Sequence, residues 1–120
     1  MDIESLRDYC LLKPAVEETF PFGPDTLVYK VGGKIFLLCS LDSDSLQFNV
    51  KCDPEKAIEL RERYDCVQPG YHMNKKHWNT ITADGTVSNS ILKEWIDDSY
   101  ALIVDSLPGK EREKLKGKKK

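Results

Sequence analysis

The stretch "SLQFNVK" alternates without a break: Leu46, Phe48 and Val50 fall on one side, Gln47, Asn49 and Lys51 on the other. A period of two predicts a strand with one buried and one wet face. Just upstream, "LVYKVGGKIFLLCS" holds two β-rich runs separated by Gly32 and Gly33. Two glycines supply the positive φ angles of a two-residue hairpin turn. The simplest register for that hairpin sets Tyr29 opposite Phe36 and Leu27 opposite Leu38.

Helical spacing appears in three places. Asp2 is placed to cap a first helix carrying Ile3, Leu6 and Cys10, with Pro14 closing it. Asp53 followed by Pro54 joins a capping residue to a proline at the first helical position, and Ala57, Ile58, Leu60 and Arg61 then turn inward and outward until about Tyr64. Ser88 caps a long last helix with Ile91, Leu92, Trp95, Ile96, Ile103 and Leu107 along one stripe, ended by Pro108 and Gly109. The connection "PAVEETFPFGPDT" has three prolines and a glycine, so it is a shaped link with at most a short edge strand at 16–19. "ADGT" marks a turn. The order α, β hairpin, β, α, β, α predicts an α+β fold, an antiparallel β-sheet with helices packed on one face.

A chain of 120 residues, with 40% hydrophobic and 32% charged residues, is about one globular domain. We place that domain at residues 1–108. Residues 109–120 carry seven Lys and Arg against two Glu, a net +5, and one apolar residue, which predicts a disordered basic tail. The body before it has 11 basic and 18 acidic residues, a net −7, and so exerts no general attraction on a polyanion. Any such site has to be local. The acidic start Met1-Asp2-Ile3-Glu4 lacks a signal pattern and no apolar run approaches the roughly 18 residues of a membrane span. A cytoplasmic, monomeric protein is expected, with its cysteines at 10, 39, 52 and 66 reduced and mostly in the core.

One window stands apart electrostatically. Between Asp65 and Asp84 there is no carboxylate, and "GYHMNKKHWNTI" supplies Lys75 and Lys76 for charge, Asn74 and Asn79 for hydrogen bonds, and Tyr71 or Trp78 as a stacking plane. With His72 and His77 this reads as a phosphate-contacting strip. The same residues also suit a loop entering an edge strand, with lysines guarding the edge and Trp78 packed on the helices. Alternation separates Lys76, Trp78 and Thr80 from His77, Asn79 and Ile81, and neither set is plainly core. His72 and His77 are five apart, which matches neither the helical zinc pair nor one strand face. Ser40 and Cys66 have no base fixed beside them, so a non-enzymatic protein without cofactor or metal is expected. The "FPFGPD" linker reads either as Phe20 and Phe22 plugging the core or as one side of a pocket, and Glu17, Glu18 and Asp25 lie close enough in sequence to hold a hard cation or simply to be solvated.

Taken together, "VEETFPFGPDTLVYKVGGKIF", "KCDPEKAIELRERY", "YHMNKKHWNTI" and "LKEWIDDSYALIVDSLP" resemble the MmcQ/YjbR family of small bacterial proteins over nearly the whole chain up to Pro108. The resemblance implies a CyaY-like, or frataxin-like, fold. It also implies DNA binding, which is attributed to the family from a "double wing" arrangement similar to that of a phage transcription factor domain. On that description the strip from His72 to Asn79 makes the contacts, with Lys30, Lys34 and Lys51 as neighbours on the sheet. The frataxin-like shape further suggests metal binding, for which the first helix offers only Asp2, Glu4 and Asp8. The competing expectation is a module binding a protein or a small ligand through the Phe20 to Asp25 loop and the aromatics Tyr71 and Trp78, with no nucleic-acid role.

Overall fold

Three capped helices and six strands follow one another in the computed structural model, which describes residues 1–42, 44–70 and 73–118, the last five as backbone. Helix α1 (Ile3–Leu11) starts where Asp2 accepts from the Ser5 amide at 2.8 Å. Strands β1 (Val16–Thr19), β2 (Thr26–Val31), β3 (Lys34–Ser40) and β4 (Gln47–Lys51) precede α2 (Pro54–Arg63), whose cap Asp53 accepts from the Glu55 amide. Strands β5 (Val67–Pro69) and β6 (Trp78–Thr82) then lead into α3 (Asn89–Ser106), capped by Ser88. The basic segment is helical as well, α4 spanning Gly109–Lys118, and it begins with the Glu111 and Arg112 amides donating to the Pro108 carbonyl. With Leu115 its single apolar residue, α4 has no core of its own.

The strands form one antiparallel sheet in the order β1-β2-β3-β4-β6-β5. Its inner face carries Leu27, Tyr29, Leu37, Phe48, Val50 and Ile81, and these pack on Leu6 and Cys10 of α1, Leu60 of α2, and Leu92, Trp95 and Ile96 of α3. The fold is therefore α+β with helices on one face, as the alternation implies. All four cysteines are buried with free thiols.

The β2–β3 hairpin departs from the simple register. Gly32 and Gly33 do make the turn, at φ 59° and 79°, and Val31 pairs with Lys34. A bulge then shifts the ladder, so Tyr29 faces Leu37 and Leu27 faces Cys39, rather than Phe36 and Leu38. The gain is packing: the extra residue lets Phe36 turn into the core, edge-on to Tyr100 with ring centres 5.3 Å apart. Its displaced carbonyl accepts from Ser99 Oγ at 2.5 Å, and the same hydroxyl accepts from the Lys51 amide at 2.8 Å. A helix side chain thus replaces the missing rung between β3 and β4. Strand β5 is an unexpected element, and it makes β6 an inner strand; Pro69 is tolerated because β5 is the sheet edge.

Candidate functional site on the open sheet face

Pairing assigns every strand residue to a face. Lys51 pairs with Trp78, Asn49 with Thr80 and Leu38, Lys30 with Ile35 and Glu17, and all of these lie on the face opposite the helices. Phe22 from the segment 20–25 and Met73, just ahead of the turn at 74–77, border this face.

That turn is built from the inside. Asn74 accepts the His77 and Trp78 amides on its carbonyl, and its side-chain oxygen accepts the Lys76 amide at 3.0 Å. From α2, Arg61 reaches under the turn. Its Nη2 donates to the Lys75 carbonyl and, at 3.3 Å, to the Trp78 carbonyl, while Nε donates to Asn79 Oδ1 at 2.6 Å. Asn79 Nδ2 then donates to the Ala57 carbonyl at 3.3 Å. The result is a fixed turn on which Asn74, Lys75 and Lys76 are exposed.

The predicted strip is therefore divided. Asn79 is 1% exposed with both ends of its amide engaged, so it is a core residue and not a phosphate contact. Trp78 lies half-buried on the open face rather than against the helices. Lys30 and Lys51 share that face, but Lys34, paired with inward-facing Val31, directs its ammonium to Ser106 Oγ at 3.4 Å on the helix side. His77 is half-buried beside the turn, and His72 and Tyr71 lie outside the described residues. Arg61 is the residue the motif did not single out; an arginine among the polar positions of an amphipathic helix gives no local signal of its partners.

The linker aromatics are not core plugs either, Phe20 being 48% and Phe22 63% exposed. Phe22 instead helps wall a cavity of about 400 Å³ on the open face. Ile35, Leu38 and Met73 supply the other apolar surfaces, and Thr26 and Asn49 supply polar atoms. Asn49 is oriented by Thr80, whose hydroxyl donates to Asn49 Oδ1 at 2.5 Å.

The nearby carboxylates have separate duties. Glu18 accepts from Arg7 Nε at 2.7 Å and from the Tyr29 hydroxyl at 2.9 Å on the inner face, and the Arg7 bond holds its carboxyl below the ordinary range. That commits it to structure, and the cation site suggested for Glu17, Glu18 and Asp25 loses its middle ligand. Neither Lys30 nor Lys51 has a carboxylate within ion-pair distance among the described residues.

Relatives share both the fold and the length. The chain is 38% identical over 120 residues to the uncharacterized protein YbdF of Escherichia coli O157:H7, covering 97% of this chain and 98% of that protein. It is 31% identical over 115 residues to the uncharacterized protein YjbR of Escherichia coli K12, covering 96% and 98% respectively. A crystal structure of a Deinococcus radiodurans protein of the family DUF419 superposes with a TM-score of 0.90 at 40% identity, covering 95% of this chain and 87% of that one. A Pseudomonas syringae protein superposes at 0.74 with 26% identity, covering 85% and 98%. The family model YjbR matches residues 11–102, and the chain belongs to the YjbR family.

Proposed function

We propose that this chain is a non-enzymatic, cytoplasmic nucleic-acid-binding domain that uses the open sheet face and the Asn74 to Lys76 turn. The observation that supports it most is the position of an exposed, carboxylate-free turn bearing Lys75 and Lys76 beside a face that carries Lys30, Lys51 and Trp78. This division of labour suits a strand laid over the face: lysines neutralise phosphates while Trp78 offers a stacking plane worth about 1–3 kcal/mol per base. The acidic body adds no long-range pull, so the contact is short-range and steeply salt-dependent.

The test compares the full chain with a Lys75→Glu/Lys76→Glu variant, titrated with duplex and single-stranded DNA across a salt series. Loss of two phosphate contacts should weaken binding and lower the slope of log K against log salt by about 1.8 for duplex. Equal affinity and slope in the two proteins would end the reading. The cavity favours a second reading, a small-ligand site on the same face with no nucleic-acid role.

A further inference from the structure

We infer that the open-face cavity takes a flat small molecule with a neutral, amide-like head and an anionic tail. The inference rests on the second reading, that this face holds a ligand, and not on the nucleic-acid reading. About 400 Å³ is within the size range of small-molecule sites. Among the described residues no Asp, Glu, Lys or Arg contributes to its lining, and a charge buried there without a partner would be costly, so the part of the ligand that enters is neutral.

Shape and hydrogen bonding narrow it further. Leu38 and Ile35 contribute sheet surface to the lining and Phe22 and Met73 line the same cavity, residue types that favour a flat, preferably aromatic body. Because Thr80 occupies Asn49 Oδ1, the amide nitrogen is the end of Asn49 left to donate into the cavity. Ser40, also in the lining, donates its own proton to Asp42 at 2.7 Å and so offers lone pairs. One donor and one acceptor match the carbonyl and N–H of a carboxamide.

The tail follows from what flanks the cavity. Lys51 is two residues beyond Asn49 on the same face of β4, roughly 7 Å along the strand. Lys30 sits directly across from Ile35, with Glu17 beyond it on β1 as the one carboxylate of that row. Both lysines are half-buried and lack ion-pair partners among the described residues, so an anion leaving the mouth meets two cations without displacing a carboxylate.

The probes are N-benzoylglycine, which has ring, amide and carboxylate in that order, and its methyl ester, which lacks the charge. Each is titrated into the full chain while backbone amide shifts are followed, and again with Lys51→Gln and Lys30→Gln, whose unliganded spectra report folding. Expected are saturable shifts at Phe22, Leu38 and Asn49 for both probes, with the acid bound about tenfold more tightly. That advantage should shrink in either lysine variant. If the ester binds as well as the acid, the anionic tail is wrong while the ligand site stands. If neither probe shifts the cavity residues, both the inference and the reading beneath it are overturned.

Discussion

Arg61 lies half-buried without a carboxylate partner among the described residues, because carbonyl oxygens of Lys75 and Trp78 and the Asn79 side chain surround its guanidinium instead. Arg61→Ala would strip these donors and leave Asn79 Oδ1 buried without a partner, at a cost of about 2–3 kcal/mol. Urea unfolding should show that loss. Amide exchange at His77 and Trp78, whose protons are held by Asn74 within this turn, should accelerate beyond the change in global stability. The residue types of this site were legible in the sequence, and so was the split between Trp78 and Asn79 on opposite faces. Which face is inside was not, since Asn79 is polar and the partner that lets it be buried comes from a helix 18 residues earlier. Lys34 misled for a similar reason: the hairpin turn, not its charge, sends it to the helix side.

Between elements, Ser99 does what the β3–β4 ladder cannot. It is fully buried, donates to the Phe36 carbonyl and accepts from the Lys51 amide, so Ser99→Ala leaves two backbone groups unsatisfied for a change of one atom. The expected loss is about 2–4 kcal/mol, at the high end for a Ser→Ala change, and read from the shift of the urea midpoint at unchanged m-value. Smaller damage, below about 0.5 kcal/mol, would mean that water replaces the hydroxyl and that the bridge contributes little. Most elements could be read beforehand because their signals are local: Asp2, Asp53-Pro54 and Ser88 announce helices, and alternation announces β4. The bulge and β5 depend on tertiary partners. Phe36 is drawn inward by Tyr100, 64 positions away, and three residues ending in Pro69 become a strand only when β6 pairs with them. The cavity is likewise non-local, since Phe22 and Met73 come to line it together only after the sheet has formed.

At the scale of the whole molecule, the buried titratable groups define a pH range of stability. Burial raises the thiols of Cys10 to about 12 and of Cys39 to about 11, from an ordinary 9.0. Burial also raises the Tyr29 phenol, which is further held protonated by its bond to Glu18. Below about pH 9 these groups are protonated in both folded and unfolded chains and contribute no pH dependence. Above it the unfolded chain ionises first and binds fewer protons, so stability falls as pH rises, by about 1.4 kcal/mol per pH unit for each thiol until its folded value is reached. On the acid side, Glu18 is lowered by Arg7, so its contribution is present above the ordinary carboxylate range and lost as pH falls. A plateau across neutral pH with a steep alkaline edge is therefore expected in urea midpoints measured from pH 6 to 11. The same burial makes alkylation a second readout. At pH 8 to 9, iodoacetamide should modify Cys10 and Cys39 only through opening of the fold, so their rates should rise with urea in step with unfolding. Rapid modification in the absence of denaturant would show that these thiols are reached through local openings, and the alkaline edge would then shrink because the folded chain could ionise them as well.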